Sequence, residues 1–313
     1  MENIKVSLLI PVYRVAQYVE RCARSLFEQT FLGLEFIFVN DCSPDNSMEI
    51  IKRTLEEYPM RLGQVRMINN EKNLGIAQVR NILLREARGD YVLFVDSDDW
   101  LEKETVEILY KKAVGTSADI VGMGYYNEMV DRSFLVPVSY PLNAIDCLRK
   151  TIQQELEAYL VLKLVKRSLF TDYHLQTDFG INIGEDYILS VKLFCHASLV
   201  SDVNGAYYHY TRFNVASYTN TNSENYEVFI QMINAAEEYC KKFQIYEQLK
   251  VSFDMRKFLL KQKMYHRNRD FHIWKQIYPE ANYAWRCYNM NIQSKILYWL
   301  LEHNMGRWVS LIS

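Results

Sequence analysis

The chain has 313 residues, 49% of them apolar, which is ample for a buried core and long for one compact domain. A formal net charge of −2 excludes bulk electrostatic binding to nucleic acid, and 14% aromatic residues, including 23 Tyr, exclude a disordered chain. The six cysteines are scattered without CxxC pairs, which argues against a disulfide scaffold or a zinc-thiolate site.

The opening "MENIKVSLLIPVY" carries no basic leader or cleavage site, so it reads as a buried strand. No apolar run reaches the roughly 18 to 20 residues needed to cross a bilayer. A cytoplasmic protein is expected, at most peripheral on the inner face of the membrane.

Along the chain, "IKVSLLIPVY" (4–13) is a strand and "VAQYVERCARSLFEQT" a helix, with Val15, Tyr18, Val19, Cys22, Ala23, Leu26 and Phe27 on one face. "LEFIFVN" is a second strand, and "CSPDNSMEIIKRTLEEY" supplies turn and cap residues and then a helix. Strand "QVRMINN", helix "GIAQVRNILLREAR", strand "DYVLFV", helix "KETVEILYKKAV" and strand "ADIVGMGYY" follow. This alternation predicts an α/β fold, a mostly parallel sheet covered by helices on both faces. Ligands of such sheets bind beyond the carboxyl ends of the strands. The clusters Tyr13-Arg14, Asn40-Asp41-Cys42-Ser43 and Asp96-Ser97-Asp98-Asp99 should therefore share one rim.

From about 141 longer helical segments dominate, interrupted by a late strand region, "ASLVSDVNGAYYHYTR". Beyond about Ser223 only helices are expected. Residues 224–313 carry 13 Lys/Arg against 9 Asp/Glu, a surplus of four, which leaves the remainder at −6. That balance fits either an ordinary helical cap or weak attraction to anionic lipid. Two regions follow: residues 1–222, with a nucleotide-binding half to about 100 and an acceptor half to 222, and a helical region 223–313.

"YVLFVDSDDW" ends a greasy strand in three carboxylates. If the segment is extended, Asp96 and Asp98 point the same way and offer hard oxygen donors to Mg²⁺ or Mn²⁺. The bland alternative is that one of them, such as Asp99, caps the helix beginning near Glu102. A metal here could serve phosphoryl transfer, hydrolysis or glycosyl transfer. The chain lacks GxxxxGK[ST], against a P-loop enzyme, and lacks GxGxxG after its first strand, against a dinucleotide oxidoreductase.

Four stretches, "VSLLIPVYRVAQYVERCARSLFEQT", "FIFVNDCSPDNS", "NEKNLGIAQVRNILLREARGDYVLFVDSDDW" and "GEDYILSVKLF", together resemble the family 2 glycosyltransferases of GT-A fold. They stand in the family's order over about residues 4 to 215. The resemblance implies that Pro11 and Tyr13 line the nucleobase pocket and that Asp41 accepts a hydrogen bond from the base. It implies that Asn73, Gly75 and Arg80 form an N-x-G-x-x-x-x-R-N motif, with Arg80 near base or phosphate. Asp96 would meet the ribose, Ser97 would belong to the donor nucleotide site, Asp98 would hold the metal, Asp186 would be the catalytic base, and Glu185 would lie in the acceptor site. Asn40 and Cys42 depart from the usual "DDGS", and "LVLKLVKRSLF" resembles the family's "W-N-K-L" helix without its Trp and Asn.

The implied reaction is displacement at an anomeric carbon with inversion, the donor a nucleotide-diphosphate sugar with a lean toward UDP, the acceptor a glycan or lipid-linked hydroxyl. Asp186 should open a helix, where the dipole favours a carboxylate, though an ordinary N-terminal acid looks the same. In "YYHYTRFNVAS", which also holds Ser217, Arg212 is a candidate diphosphate clamp. His209 is either a further metal ligand or a packed, hydrogen-bonded side chain. A nucleotidyltransferase, or a catalytically lapsed binding subunit, are the competing functions.

Overall fold

The computed structural model describes residues 4–178, 180–214, 226–268 and 270–305. Strand β1 (Val6–Val12) is buried along its whole length and runs parallel to β2 (Leu34–Asn40) on one side and β4 (Tyr91–Phe94) on the other. Strand β3 (Val65–Asn69) extends the parallel set beyond β2. Helices α1 (Val19–Phe27), α2 (Ser47–Glu56) and α3 (Ile76–Glu86) connect these strands. Strands buried on both faces read as continuous apolar runs, which is why the sequence reports them clearly.

Past β4 the sheet becomes mixed. The next elements are β5 (Trp100–Leu101), α4 (Thr105–Thr116), β6 (Ile120–Glu128), β7 (Ser133–Val136) and α5 (Ala144–Gln153). They are followed by β8 (Lys163–Lys166), α6 (Arg167–Asp172), α7 (Glu185–His196) and β9 (Val200–Thr211). The order is β3-β2-β1-β4-β8-β6-β9-β5, with β7 paired to β6. Strand β8 lies antiparallel between β4 and β6, and β9 runs parallel to β6. The α/β class expected from the sequence is the class observed.

The stretch "LVLKLVKRSLF" is a correction. It is a 3-10 turn (Leu160–Leu162), then β8, and helical only from Arg167. Two flanking strands supply β8 with hydrogen bonds on both edges, a tertiary gain that four residues of local sequence do not announce.

The chain divides into two compact units, residues 1–148 with 156–223, and residues 149–155 with 224–313. The described part of the second unit holds α8 (Tyr226–Lys242), α9 (Tyr246–Asn268), α10 (Phe271–Gln276) and α11 (Ile292–Glu302). Its core gathers Phe258, Tyr265, Trp274, Ala284, Tyr298, Leu300 and Leu301. Among the described residues no helix is long and apolar enough to cross a membrane.

Candidate active site

Parallel β1, β2 and β4 end on one edge, and the loops leaving them are stitched together. The backbone N–H groups of Arg14, Val15 and Ala16 donate to Ser43 Oγ (2.8 Å), Ser47 Oγ (3.2 Å) and Asp45 Oδ2 (3.0 Å). Cys42 sits at φ 57°, a left-handed conformation that suits glycine and costs an ordinary residue energy. Tyr13 stands 39% exposed at the rim with the Arg14 guanidinium 5.2 Å from its ring, whereas Pro11 is buried in β1.

Asp41 is 3% exposed and already well occupied. Its Oδ1 accepts from Asn70 Nδ2 (2.9 Å) and Leu74 N–H (2.8 Å), and its Oδ2 accepts from Gly75 N–H (2.9 Å). Asn73 Nδ2 donates to the Asp41 carbonyl (3.3 Å). These two residues therefore shape the loop 70–75, leaving a free lone pair on Oδ2 for any base contact.

The acidic segment is a turn, not an extended strand end, because Asp99 N–H closes back on the Asp96 carbonyl at 3.0 Å. The simple alternation expected for Asp96 and Asp98 is thereby corrected. Nor does Asp99 cap a helix: α4 begins only at Thr105. Asp99, 1% exposed, accepts from Tyr208 OH (2.6 Å) and Thr211 N–H (2.7 Å), and Tyr208 OH accepts from Asp96 N–H (3.1 Å). Ser97 is buried within the turn. Asp98 Oδ2 accepts from Asn214 Nδ2 (2.8 Å), and its carbonyl accepts from Thr211 Oγ1 (2.6 Å). Burial pushes the Asp98 carboxyl up, with Asn214 opposing.

Among the described residues no three His, Cys, Asp or Glu side chains form a metal cage. Mg²⁺ and Mn²⁺ commonly take only one or two carboxylates and complete their shell with phosphates and water. Asp98, a desolvated hard donor whose asparagine contact uses one oxygen, fits that requirement. His209 does not join it. Its Nδ1 lies 2.8 Å from Glu128 Oε1 and its Nε2 3.7 Å from Glu102, and its ring stacks on Trp100 (4.7 Å, 11°) and Tyr126 (4.9 Å, 16°). The metal-ligand expectation for His209 is corrected to a packed, hydrogen-bonded one.

Arg80 is the centre of the site. Its buried Nη2 lies 3.4 Å from Asp96 Oδ1 and 3.2 Å from Asp186 Oδ1, and its Nε 3.5 Å from Glu185 Oε1. Here the enclosed guanidinium serves as a counter-ion to three carboxylates, and its expected place near base or phosphate remains an expectation. Burial works against the Arg80 charge, and Asp186, Asp96 and Glu185 more than offset it. Burial also raises Asp96 to about 6, against the pull of Arg80 and with Asp186 and Asp98 adding to it. Glu185 rises to about 8 through burial and the neighbouring Asp186, Arg80 again opposing.

Asp186 lies in the first turn of α7, after Gly184 at φ 76°, and its Oδ2 accepts from Leu160 N–H at 3.3 Å. The loop before α7 is clamped to α3. Asn182 Oδ1 accepts from Ala77 N–H (3.3 Å), and the Asn81 side chain both donates to the Thr177 carbonyl and accepts from its N–H. Gly75 sits at φ 84°, where a side chain is strained, and a Cβ would also meet the Asn182 amide at 2.7 Å and push it aside. The N-x-G-x-x-x-x-R-N motif thus holds the loop carrying Glu185 and Asp186.

Arg212 is exposed, its guanidinium 4.4 Å from the Tyr210 ring and its Nε donating to Asn127 Oδ1 (2.7 Å). Tyr159 stacks on Tyr210 at 5.7 Å and 3°. Ser217 lies outside the described residues. Tyr159, Lys163, Asn182, Tyr208 and Asn214 are additions that sequence reasoning missed. Lys163, within "LVLKLVKRSLF", bonds carbonyls four and six residues earlier in the chain; the partners of the others lie tens of residues away, and no local motif marks them.

Residues 7–173 match the profile of Glycosyl transferase family 2. The chain belongs to this family. It is 32% identical over 212 residues to the uncharacterized glycosyltransferase EpsJ of Bacillus subtilis, a match spanning 66% of this chain and 60% of that relative. S. aureus TarS 1–349, solved in complex with UDP-GlcNAc, superposes with a TM-score of 0.66 at 18% identity, covering 98% of this chain and 90% of that one. The mannosyltransferase PcManGT from Pyrobaculum calidifontis, solved with GDP-Man and Mn²⁺, gives 0.55 at 15% identity, over 99% and 84%. These likenesses show that the GT-A fold is shared.

Proposed function

We propose that this chain is an inverting glycosyltransferase that moves a sugar from a nucleoside-diphosphate donor, favouring UDP, to a hydroxyl of a glycan or lipid-linked acceptor. One observation carries the proposal: a single buried guanidinium joins Asp96, on the strand-end rim, to Glu185 and Asp186 at the start of α7. Family membership and the nucleotide sugars bound by TarS and PcManGT support the same reading.

In this mechanism the acceptor oxygen bonds to the anomeric carbon as the carbon–oxygen bond to the diphosphate breaks, and Asp186 takes the hydroxyl proton. Attack from the face opposite the leaving group inverts the configuration. Glu185, protonated at neutral pH, donates a hydrogen bond within the acceptor site. Asp96 meets the ribose, Ser97 belongs to the donor nucleotide site, and Pro11, Tyr13, Asp41 and Asn73 frame the base. Arg212 swings its exposed guanidinium to the diphosphate. Asp98 would hold Mn²⁺ or Mg²⁺, which when bound neutralises charge on the departing diphosphate. The acceptor is reached at the inner face of the cytoplasmic membrane, through the exposed Ile292, Ile296 and Trp299 of α11.

A thermal-shift panel of UDP, GDP, CDP and dTDP with and without Mn²⁺ tests the donor side. One nucleotide should raise the melting point in a metal-dependent way, following RT ln(1 + [L]/Kd). Loss of that dependence in Asp98→Asn is expected, and a response to no nucleotide would end the proposal.

A further inference from the structure

Lys163 is a fully buried lysine in β8, and no step above uses it. Its Nζ donates to the carbonyls of Glu157 (3.0 Å) and Tyr159 (2.7 Å). The alternate groups of the same short strap face α7 instead. Ser190 Oγ donates to the Ala158 carbonyl (2.6 Å), and Leu160 N–H donates to Asp186 Oδ2 (3.3 Å). The strap is therefore pinned by β8 on one side and hydrogen-bonds Asp186 on the other.

Leaving an ammonium in this position is costly unless its hydrogens are used. Tyr140 lies over the site, its ring 5.9 Å from Nζ. Gly122 of β6 leaves room for that ring, since a Cβ would meet it at 2.0 Å. Asp186 and Glu157 are the carboxylates that favour the Lys163 charge, while burial pulls it down to about 7. Two carbonyl acceptors match the two N–H donors that even a neutral amine keeps, so the strap stays tied in either state.

We infer that Lys163 is a positioning residue for the base: it fixes the 157–160 strap, and the strap's Leu160 N–H fixes the Asp186 carboxylate. This rests on the reading of Asp186 as the proton acceptor. A base displaced by about 1 Å loses up to about a hundredfold in rate, so the effect belongs in kcat and not in donor affinity.

The test compares Lys163→Met, which fills the space without donors, with Lys163→Gln, which restores amide donors. Nucleoside diphosphate release is followed with UDP-glucose, UDP-galactose, UDP-GlcNAc and GDP-mannose, water serving as acceptor, and normalised to folded protein. Lys163→Met should lower kcat about tenfold to a hundredfold with donor KM within about twofold of the parent, and Lys163→Gln should recover most of the loss. Amide exchange, which needs no turnover, should quicken at 157–162 in Lys163→Met. A kcat within about twofold of the parent, equal losses in both variants, or unchanged exchange would overturn the inference. Asp186→Asn separates the two ideas. If it retains release, the base reading falls and this inference with it; if it is dead while Lys163→Met is fully active, only the inference falls.

Discussion

In the proposed mechanism Glu185 and Asp186, neighbours in sequence, take different chemical duties, and both pair with Arg80. Three carboxylates around one guanidinium cannot all be ionised cheaply, and Glu185, raised to about 8, is the one that keeps its proton at neutral pH. The sign of the stability effect follows. Between the ordinary value of 4.5 and about 8 the folded chain holds a proton that the unfolded chain has released, so stability falls as pH rises through that window. The melting temperature should decline from pH 5 to pH 8, and Glu185→Gln should flatten the decline; an equal slope in both proteins would refute the assignment. Asp186→Asn should cost roughly a thousandfold in kcat while leaving nucleotide-induced stabilisation intact, the size expected for a lost general base. The acids of the 96–99 cluster stood out in the sequence because they end an apolar strand, whereas Glu185 and Asp186 were picked out by the family resemblance. Neither route foresaw the ion pairs of Arg80, since nothing local reveals that α7, about a hundred residues on, brings its acids to that side chain.

Among the elements, α3 and the loop before α7 form one device. Gly75 at φ 84° lets Asn182 approach, and Asn81 ties down Thr177. Gly75→Ala should therefore destabilise by about 1–3 kcal/mol in denaturant melts and lower turnover together, because strain at a left-handed position adds to displacement of Asn182. Tyr208→Phe tests the acidic turn in the same way. It leaves Asp99 Oδ2 short of a donor and Asp96 N–H short of an acceptor, at about 1–3 kcal/mol. Strands β1, β2 and β4 were legible because burial on both faces writes an apolar run. Strand β8 was not, since it is short, carries a buried lysine and owes its state to its neighbours.

At the scale of the whole molecule the charge is unevenly shared: residues 224–313 hold 13 Lys/Arg against 9 Asp/Glu, within a chain of net −2. On α11, Ile292 (69% exposed), Ile296 (43%) and Trp299 (43%) recur at one-turn spacing, with exposed Lys295 between them. The cationic surplus was visible in composition, but whether these apolar side chains pointed inward could not be read from periodicity alone, since α11 is apolar on more than one face. Under the proposed peripheral reading, partial insertion of two isoleucines and an indole, helped by about 1 kcal/mol for each nearby lysine or arginine, would give reversible adsorption to an anionic bilayer. In vesicle flotation the protein should bind phosphatidylglycerol-containing vesicles, bind neutral phosphatidylcholine weakly, and dissociate as salt rises. Ile292→Asp with Ile296→Asp should weaken that binding at least about tenfold, since a charge in place of each exposed isoleucine removes the apolar term and repels the surface. Unaltered flotation of the double variant would mean that α11 is not the contact.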